Sequence, residues 1–254
     1  MSALRKIGIV GGVAWRSTVT YYAEYCQRAE RWHTAQGRPG APAAPEMAIE
    51  SLALNRTFAL FGRDGDEASW SGFDDYHRAA LRRLQAGGAE FAILASNTPH
   101  HRIDAIVRGV DLPVVSILDA LARAAAARGA REVLILGTSV TMGSARFREE
   151  FARHGIIAAG PSEAATRERT EALIEELQAG VVEGTAARVA ALVAATVGPQ
   201  FSAPPLVCLA CTELPLAFPD AGAAAYFQAG GVAYLNSVLV HVDAAFAWAS
   251  RPAP

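Results

Sequence analysis

One pattern constrains this chain more than any other: short runs that are apolar on both faces alternate with longer helix-periodic segments. Lys6–Val10, Met47–Leu52, Glu90–Ala95, Glu132–Leu136 and Pro205–Ala210 read as strands. Helical patterns cover Ser17–Trp32, Phe73–Ala86, Asp119–Ala127, Ala145–His154, Glu168–Ala179, Thr185–Val197 and His241–Ala249. Gly87-Gly88 and Gly129 supply helix stops. A strand with no polar face must be covered on both sides, and helices that join such strands give parallel sheets. The chain is therefore expected to be α/β, with parallel sheets flanked by helices.

Composition agrees. Of 254 residues, 52% are hydrophobic and 19% charged, enough to build the core of one large domain or two small ones. The net charge of −2, with no basic stripe and no polybasic run, excludes nucleic acid and anionic membrane as expected partners. No apolar run approaches the roughly 20 residues of a membrane span. The run after Met1–Lys6 is too short for a signal-peptide core, so a cytoplasmic location is expected. Three cysteines, Cys26, Cys208 and Cys211, do not make a disulfide framework. Cys208-x-x-Cys211 is half of a zinc pattern, but no second Cys pair and no His pair completes it, so no metal is expected.

The two halves echo each other. Lys6-Ile7-Gly8-Ile9-Val10-Gly11-Gly12 resembles Glu132-Val133-Leu134-Ile135-Leu136-Gly137-Thr138. Further along each half a strand runs into a small polar cluster: Ala95-Ser96-Asn97-Thr98-Pro99-His100, and Ala210-Cys211-Thr212-Glu213-Leu214-Pro215. The echo predicts two similar domains related by pseudo-twofold symmetry, one formed by residues 1–115 with 225–254 and the other by 116–224. Two segments stand outside the pattern. Ala35–Pro45 reads as a loop, and Asn55–Ser71 reads equally well as an active-site lid or a plain surface loop.

In parallel sheets ligands sit at the carboxyl ends of the strands. A polar cluster that follows a strand and opens a helix offers unpaired backbone N–H groups, which suit a carboxylate. Asn97, Thr98, Thr138 and Thr212 add neutral donors, so the strand ends read as a site for a small carboxylate. Gly8-x-x-Gly11-Gly12 lacks the G-x-G-x-x-G spacing and no P-loop is present, so no nucleotide is expected. Cys211 is the reactive atom of interest: beside a helix N-terminus its pKa would be lowered, giving a thiolate base or nucleophile. Its polar neighbours Thr212 and Glu213 weaken the alternative of an inert buried cysteine. Cys208, three residues back, faces the other side of the sheet and reads as core, and Cys26 as structural. His100 lies one helical turn after Ser96, which raises a Ser–His hydrolase as a rival, but no Gly-x-Ser-x-Gly elbow and no orienting Asp accompany it. Capping or packing is the simpler role for His100. Arg56, Arg167 and Arg169 can be read as partners of a second substrate carboxylate or as solvated surface cations.

The motifs taken together resemble a known family. Gly11-Gly12-Val13-Ala14-Trp15-Arg16-Ser17-Thr18 with Tyr21-Tyr22 is similar to the N-terminal signature of the aspartate/glutamate racemases. Ser96-Asn97-Thr98-Pro99-His100 resembles their first catalytic motif, usually Cys-Asn-Thr. Leu136-Gly137-Thr138 with Thr141-Met142 resembles their middle motif, and Cys211-Thr212-Glu213 their second catalytic motif. The resemblance implies two α/β domains with a cleft between them, often in a homodimer, and an amino-acid racemase or epimerase that works without pyridoxal phosphate or any other cofactor. It implies two thiols on opposite faces of the substrate α-carbon, one removing the proton and the other returning one. Carried over residue by residue, Cys211 and Ser96 are the catalytic positions, with Gly11, Asn97, Thr98, Thr138, Thr212 and Glu213 around an aspartate or glutamate substrate.

The departure falls at Ser96. A serine hydroxyl is a far weaker acid than a thiol and a poor base near neutral pH. The expected consequence is asymmetry: Cys211 deprotonates one enantiomer well and the reverse direction is slower. Two rivals follow from the same change. A single thiol beside a planar enolate suits an asymmetric decarboxylase of a disubstituted malonate, and a chain that has lost catalysis suits a small-carboxylate-binding protein.

Overall fold

The apolar runs do become strands, and they fall into two sheets; all are largely buried except Met47–Ser51, an edge strand whose residues are half-buried or exposed, Ile49 among the latter. The structure is a computed structural model that describes residues 4–251 apart from 38, 39, 41–43, 64, 198, 199 and 202. The chain divides into two compact units: residues 1–116 with 242–254, and residues 117–241. Both are α/β.

The first unit runs β1 (Ile7–Gly11), α1 (Trp15–Ala35), β2 (Met47–Ser51), α2 (Leu54–Ala59), α3 (Ser71–Ala86), β3 (Phe91–Leu94) and α4 (Ile103–Ile106). Its sheet has the order β2-β1-β3, all parallel. Ile7, Ile9, Phe91 and Ile93 are wholly or almost wholly buried. α3 presents Phe73, His77, Ala80, Leu81 and Leu84 to the core, the spacing expected of one helical face. It stops at Gly87-Gly88, where the Ala89 N–H returns to the Leu84 carbonyl at 3.0 Å. The segment 55–71 is more ordered than a loop: it holds most of α2 and a 3-10 turn over Glu67–Trp70. Of the Gly/Pro/Ala segment 35–45, residue 35 ends α1, and 38, 39 and 41–43 lie outside the described residues.

The second unit runs α5 (Ile117–Ala126), β4 (Glu132–Leu136), α6 (Ser139–Gly143), α7 (Ala145–Ala152), β5 (Ile157–Ala159), α8 (Ala164–Gln178), α9 (Thr185–Thr196), β6 (Leu206–Leu209), β7 (Tyr226–Ala229) and β8 (Val232–Asn236). Its sheet has the order β5-β4-β6-β8-β7. β7 pairs antiparallel with β8, so the sheet is parallel but for one edge strand. Because β8 pairs with β6, residues 225–241 stay with the second unit. The chain returns to the first at 242, within α10 (Ser237–Ala249), and not at 225 as the sequence suggested. One face of this sheet packs Leu134, Leu136, Val207 and Leu209 against Leu173 and Leu177 of α8 and Val189 and Val193 of α9. No helix among the described residues is long and apolar enough to cross a membrane.

His77 gives the first unit an expected pH dependence. Its Nδ1 lies 2.9 Å from the Phe73 carbonyl, which can only accept, so Nδ1 carries the proton. Nε2 is buried with no hydrogen-bond partner among the described residues. Burial pulls the pKa down from 6.5 to about 4. Above pH 6.5 the ring is neutral in both folded and unfolded chains, so it adds no pH dependence there. As pH falls from 6.5 towards 4, the unfolded chain binds a proton that the folded chain refuses, and about 3 kcal/mol of stability is lost. Urea unfolding at pH 7 and pH 4.5 should show this loss in the native protein and not in His77→Met. An unchanged acid limb in the variant would assign the loss elsewhere.

Candidate active site

The same local construction appears at the strand ends of each unit. In the first, the Ala95 N–H donates to the Val10 carbonyl at 2.8 Å, which places Ser96 beside Gly11. In the second, the Ala210 N–H donates to the Leu136 carbonyl at 2.7 Å, which places Cys211 beside Gly137. The glycines are required by close approach. A Cβ on Gly137 would lie 2.7 Å from the Ala210 carbonyl oxygen, and one on Gly11 would lie 2.5 Å from the Thr18 side chain. The sequence echo is thus a shared local topology.

In the second unit Val207, Leu209 and Cys211 alternate onto one face of the core, while Cys208, fully buried on the strand between them, is no part of that cluster. Burial pushes the Cys208 thiol up to about 12. Cys211 differs from Cys208 in having polar company. Its thiol donates to Glu213 Oε2 at 3.1 Å, and the Thr212 hydroxyl donates to the same oxygen at 2.8 Å. Glu213 is itself buried, so this is a three-residue network with one shared acceptor.

The structure reverses the expected direction of the Cys211 pKa. Burial raises it well above the ordinary thiol value, and the Glu213 carboxylate raises it further. The backbone N–H groups of Glu213 and Leu214 pull it down, as the sequence anticipated, but they are outweighed. The helix expected after the cluster is only a 3-10 turn, Leu214–Ala217, too short for an appreciable dipole. Cys211 therefore rests as a thiol whose proton already points at a carboxylate.

In the first unit Ser96 is half-buried and Asn97 buried, with Thr98 half-buried at the start of another 3-10 turn, Thr98–Arg102. His100 is buried, and its Nδ1 lies 2.9 Å from the Ser96 carbonyl oxygen. That contact goes to the backbone of Ser96, not to its hydroxyl, which removes the arrangement a Ser–His hydrolase needs. Two backbone N–H groups just after β1 and β4 are bonded within the protein. Gly12 N–H donates to Thr18 Oγ1 at 2.9 Å and Ser139 N–H to Glu171 Oε1 at 2.8 Å. Thr138 caps α6, its hydroxyl oxygen accepting from Thr141 N–H. Arg56 stacks over the Tyr76 ring at 4.4 Å in the first unit, close in sequence to the end of β2. Arg167 and Arg169 bond within their own segment, to the Ser162 carbonyl and to the Ala165 carbonyl and Thr166 hydroxyl.

Three residues that the sequence did not single out matter here. The Ser17 hydroxyl donates to the Ala95 carbonyl at 2.9 Å, Thr18 holds the turn after β1, and Glu171 reaches α6 from α8. Ser17 and Thr18 lay inside a motif, but Glu171 carried no sequence signal. Asp119, Glu150 and His154 bring one donor atom each to within 4.8 Å of one another. Arg123 already holds both Asp119 oxygens at 2.8 Å and Arg153 holds Glu150 at 2.9 Å, so these carboxylates are neutralised by guanidinium groups.

Comparison with known proteins gives a family and a fold. A sequence model described as Asp/Glu/hydantoin racemase matches residues 10–245. The structure of an aspartate racemase homologue from Pyrococcus horikoshii is 28% identical, with a TM-score of 0.73, over 98% of this chain and 100% of that one. An aspartate racemase from Picrophilus torridus, 16% identical, superposes with a TM-score of 0.67 over 98% and 96% of the two chains. A glutamate racemase from Campylobacter jejuni, 17% identical, does so at 0.60 over 94% and 83%. The last two likenesses are of fold.

Proposed function

This chain belongs to the Asp/Glu/hydantoin racemase family, and we propose that it racemises or epimerises a small amino acid of the aspartate or glutamate kind with Cys211 as its principal acid/base. The observation that carries this reading is the Cys211 thiol donating to the buried Glu213 carboxylate. The proton can pass from Sγ to Glu213, leaving a thiolate. The thiolate then takes the substrate α-proton, regenerating the thiol and leaving the electron pair on the α-carbon and its carboxylate. A thiolate whose conjugate thiol has a raised pKa is scarce but strongly basic, which suits removal of a weakly acidic C–H proton. The hydroxyl of Thr212 on the same oxygen fixes the carboxylate. Ser96 stands in the second acid/base position, and Gly11, Asn97, Thr98 and Thr138 are proposed to border the substrate. Arg56 is a candidate for a second carboxylate. The scheme calls on side chains of this chain alone, with no cofactor in any step, and a homodimer is proposed on family likeness.

The test is incorporation of deuterium at the α-carbon of a panel of D- and L-amino acids in deuterated water. Uptake into aspartate or glutamate is the expected result, and no uptake into any panel member would sink the proposal. The single thiol also keeps an asymmetric decarboxylase as a second reading. Release of carbon dioxide from a disubstituted malonate with a chiral product, without amino-acid exchange, would favour that instead.

A further inference from the structure

Ser96 is held in an unusual way. The ladder of β3 ends at Leu94, so sheet hydrogen bonding does not itself fix the Ser96 peptides. Two side chains do. The buried Ser17 hydroxyl donates to the Ala95 carbonyl at 2.9 Å, which anchors the peptide plane before Ser96. The buried His100 ring lies with Nδ1 2.9 Å from the Ser96 carbonyl, which anchors the plane after it. A carbonyl oxygen only accepts, so His100 must be the Nδ1–H tautomer when neutral. A residue has two soft backbone dihedrals, and fixing the planes on either side fixes both. Only χ1 is then left to aim the hydroxyl.

Cys211 is held differently among the described residues. Its carbonyl accepts from the backbone N–H of Leu214 at 3.2 Å, and it is the sulfur itself that is held, by Glu213. The thiol is oriented at its reacting atom and the hydroxyl through its backbone.

We propose that Ser17 and His100 are positioning residues that together form a clamp on Ser96 and determine how well the weaker of the two acid/base groups works. The proposal rests on the racemase reading above and adds two residues to it. A hydroxyl is a poor proton donor, and its usefulness depends on being placed within hydrogen-bond reach; misplacement by about 1 Å costs on the order of 10²-fold. The effect should be confined to the enantiomer that Ser96 serves.

The experiment has two readouts on the intact chain. The first is the 15N spectrum of His100, expected to show the neutral Nδ1–H tautomer. The second is α-deuterium exchange of each enantiomer separately. Ser17→Ala and His100→Ala are each expected to slow the enantiomer served by Ser96 by roughly 10- to 100-fold, with the Cys211-served enantiomer within about threefold of native. Ser17→Thr and His100→Asn, which keep a donor, should recover part of the loss. In a Ser96→Ala background neither Ala variant should have further effect. An Nε2–H tautomer, equal slowing of both enantiomers, or a loss that persists without Ser96 would each overturn the clamp while leaving the racemase reading intact. No exchange of either enantiomer by the native protein would instead bring down the racemase reading, and the clamp's role with it.

Discussion

Cys211→Ala is expected to slow α-proton exchange of the faster enantiomer by about 10³-fold or more, with little change in stability. Positioned general acid/base groups contribute roughly 10²- to 10⁴-fold, and the proposed mechanism puts this thiol towards the top of that range because Glu213, to which it donates, would accept its proton and so make the base. The side chain is small, so its removal leaves only a small void in the core cluster that it shares with Leu136, Leu209 and Leu214. Glu213 keeps the Thr212 hydroxyl as a donor. Exchange rates and a urea midpoint on the same sample separate the two effects. A variant that exchanges within tenfold of native would show that the thiol is not the base.

Gly12→Val is expected to be strongly destabilising, by more than about 3 kcal/mol. Gly12 has φ +87°, and a Cβ there would meet the Leu52 carbonyl oxygen at 2.3 Å and the Leu52 nitrogen at 2.6 Å. Those are backbone atoms, and the Leu52 N–H is already tied to the Gly11 carbonyl at 2.8 Å, so they cannot step aside cheaply. A β-branched side chain adds its own conflict with positive φ. Gly129→Ala provides the control. Its φ is +68°, but nothing lies within 4 Å of the added Cβ, so it should cost only the conformational penalty of about 1 kcal/mol. Equal denaturation midpoints for the two variants would mean that φ alone, and not the close approach to Leu52, sets the cost. Because the turn carries Gly11 and is pinned by Thr18, Gly12→Val should also impair exchange.

The elements that the sequence made legible were those whose signal is local and long. α3 has a full apolar face and a glycine stop, and β4 matches its apolar run from Glu132 to Leu136. The elements that escaped are short or take their stability from neighbours. β5 spans three residues, and α2 spans six, with Ala53 before its first turn offering no side-chain cap. The β7–β8 hairpin did carry a signal, Gly230-Gly231 with φ +57° and +77°, between two short strands of mixed polarity. Without that hairpin the expected return to the first unit falls at 225, and the hairpin carries it to 242. At the candidate site, the identity of Cys211 and its placement after a strand were readable because they follow from chain order. Its pKa was not, because the direction depends on how deeply the sulfur is packed and on which way the Glu213 carboxylate turns. The role of His100 was hidden for a related reason: four residues of separation put it near Ser96, but only the fold decides between the hydroxyl and the carbonyl.

The asymmetry between a thiol and a hydroxyl is the core of the functional proposal. The most direct measurement is the ratio of initial α-deuterium exchange rates for the two enantiomers of the best substrate, in the native protein and in Ser96→Cys. The expected result is one enantiomer exchanging at least tenfold faster than the other in the native protein, with the gap narrowed in Ser96→Cys by a gain in the slower one. Equal rates in the native protein, or a Ser96→Cys variant in which the faster enantiomer gains and the slower does not, would contradict it.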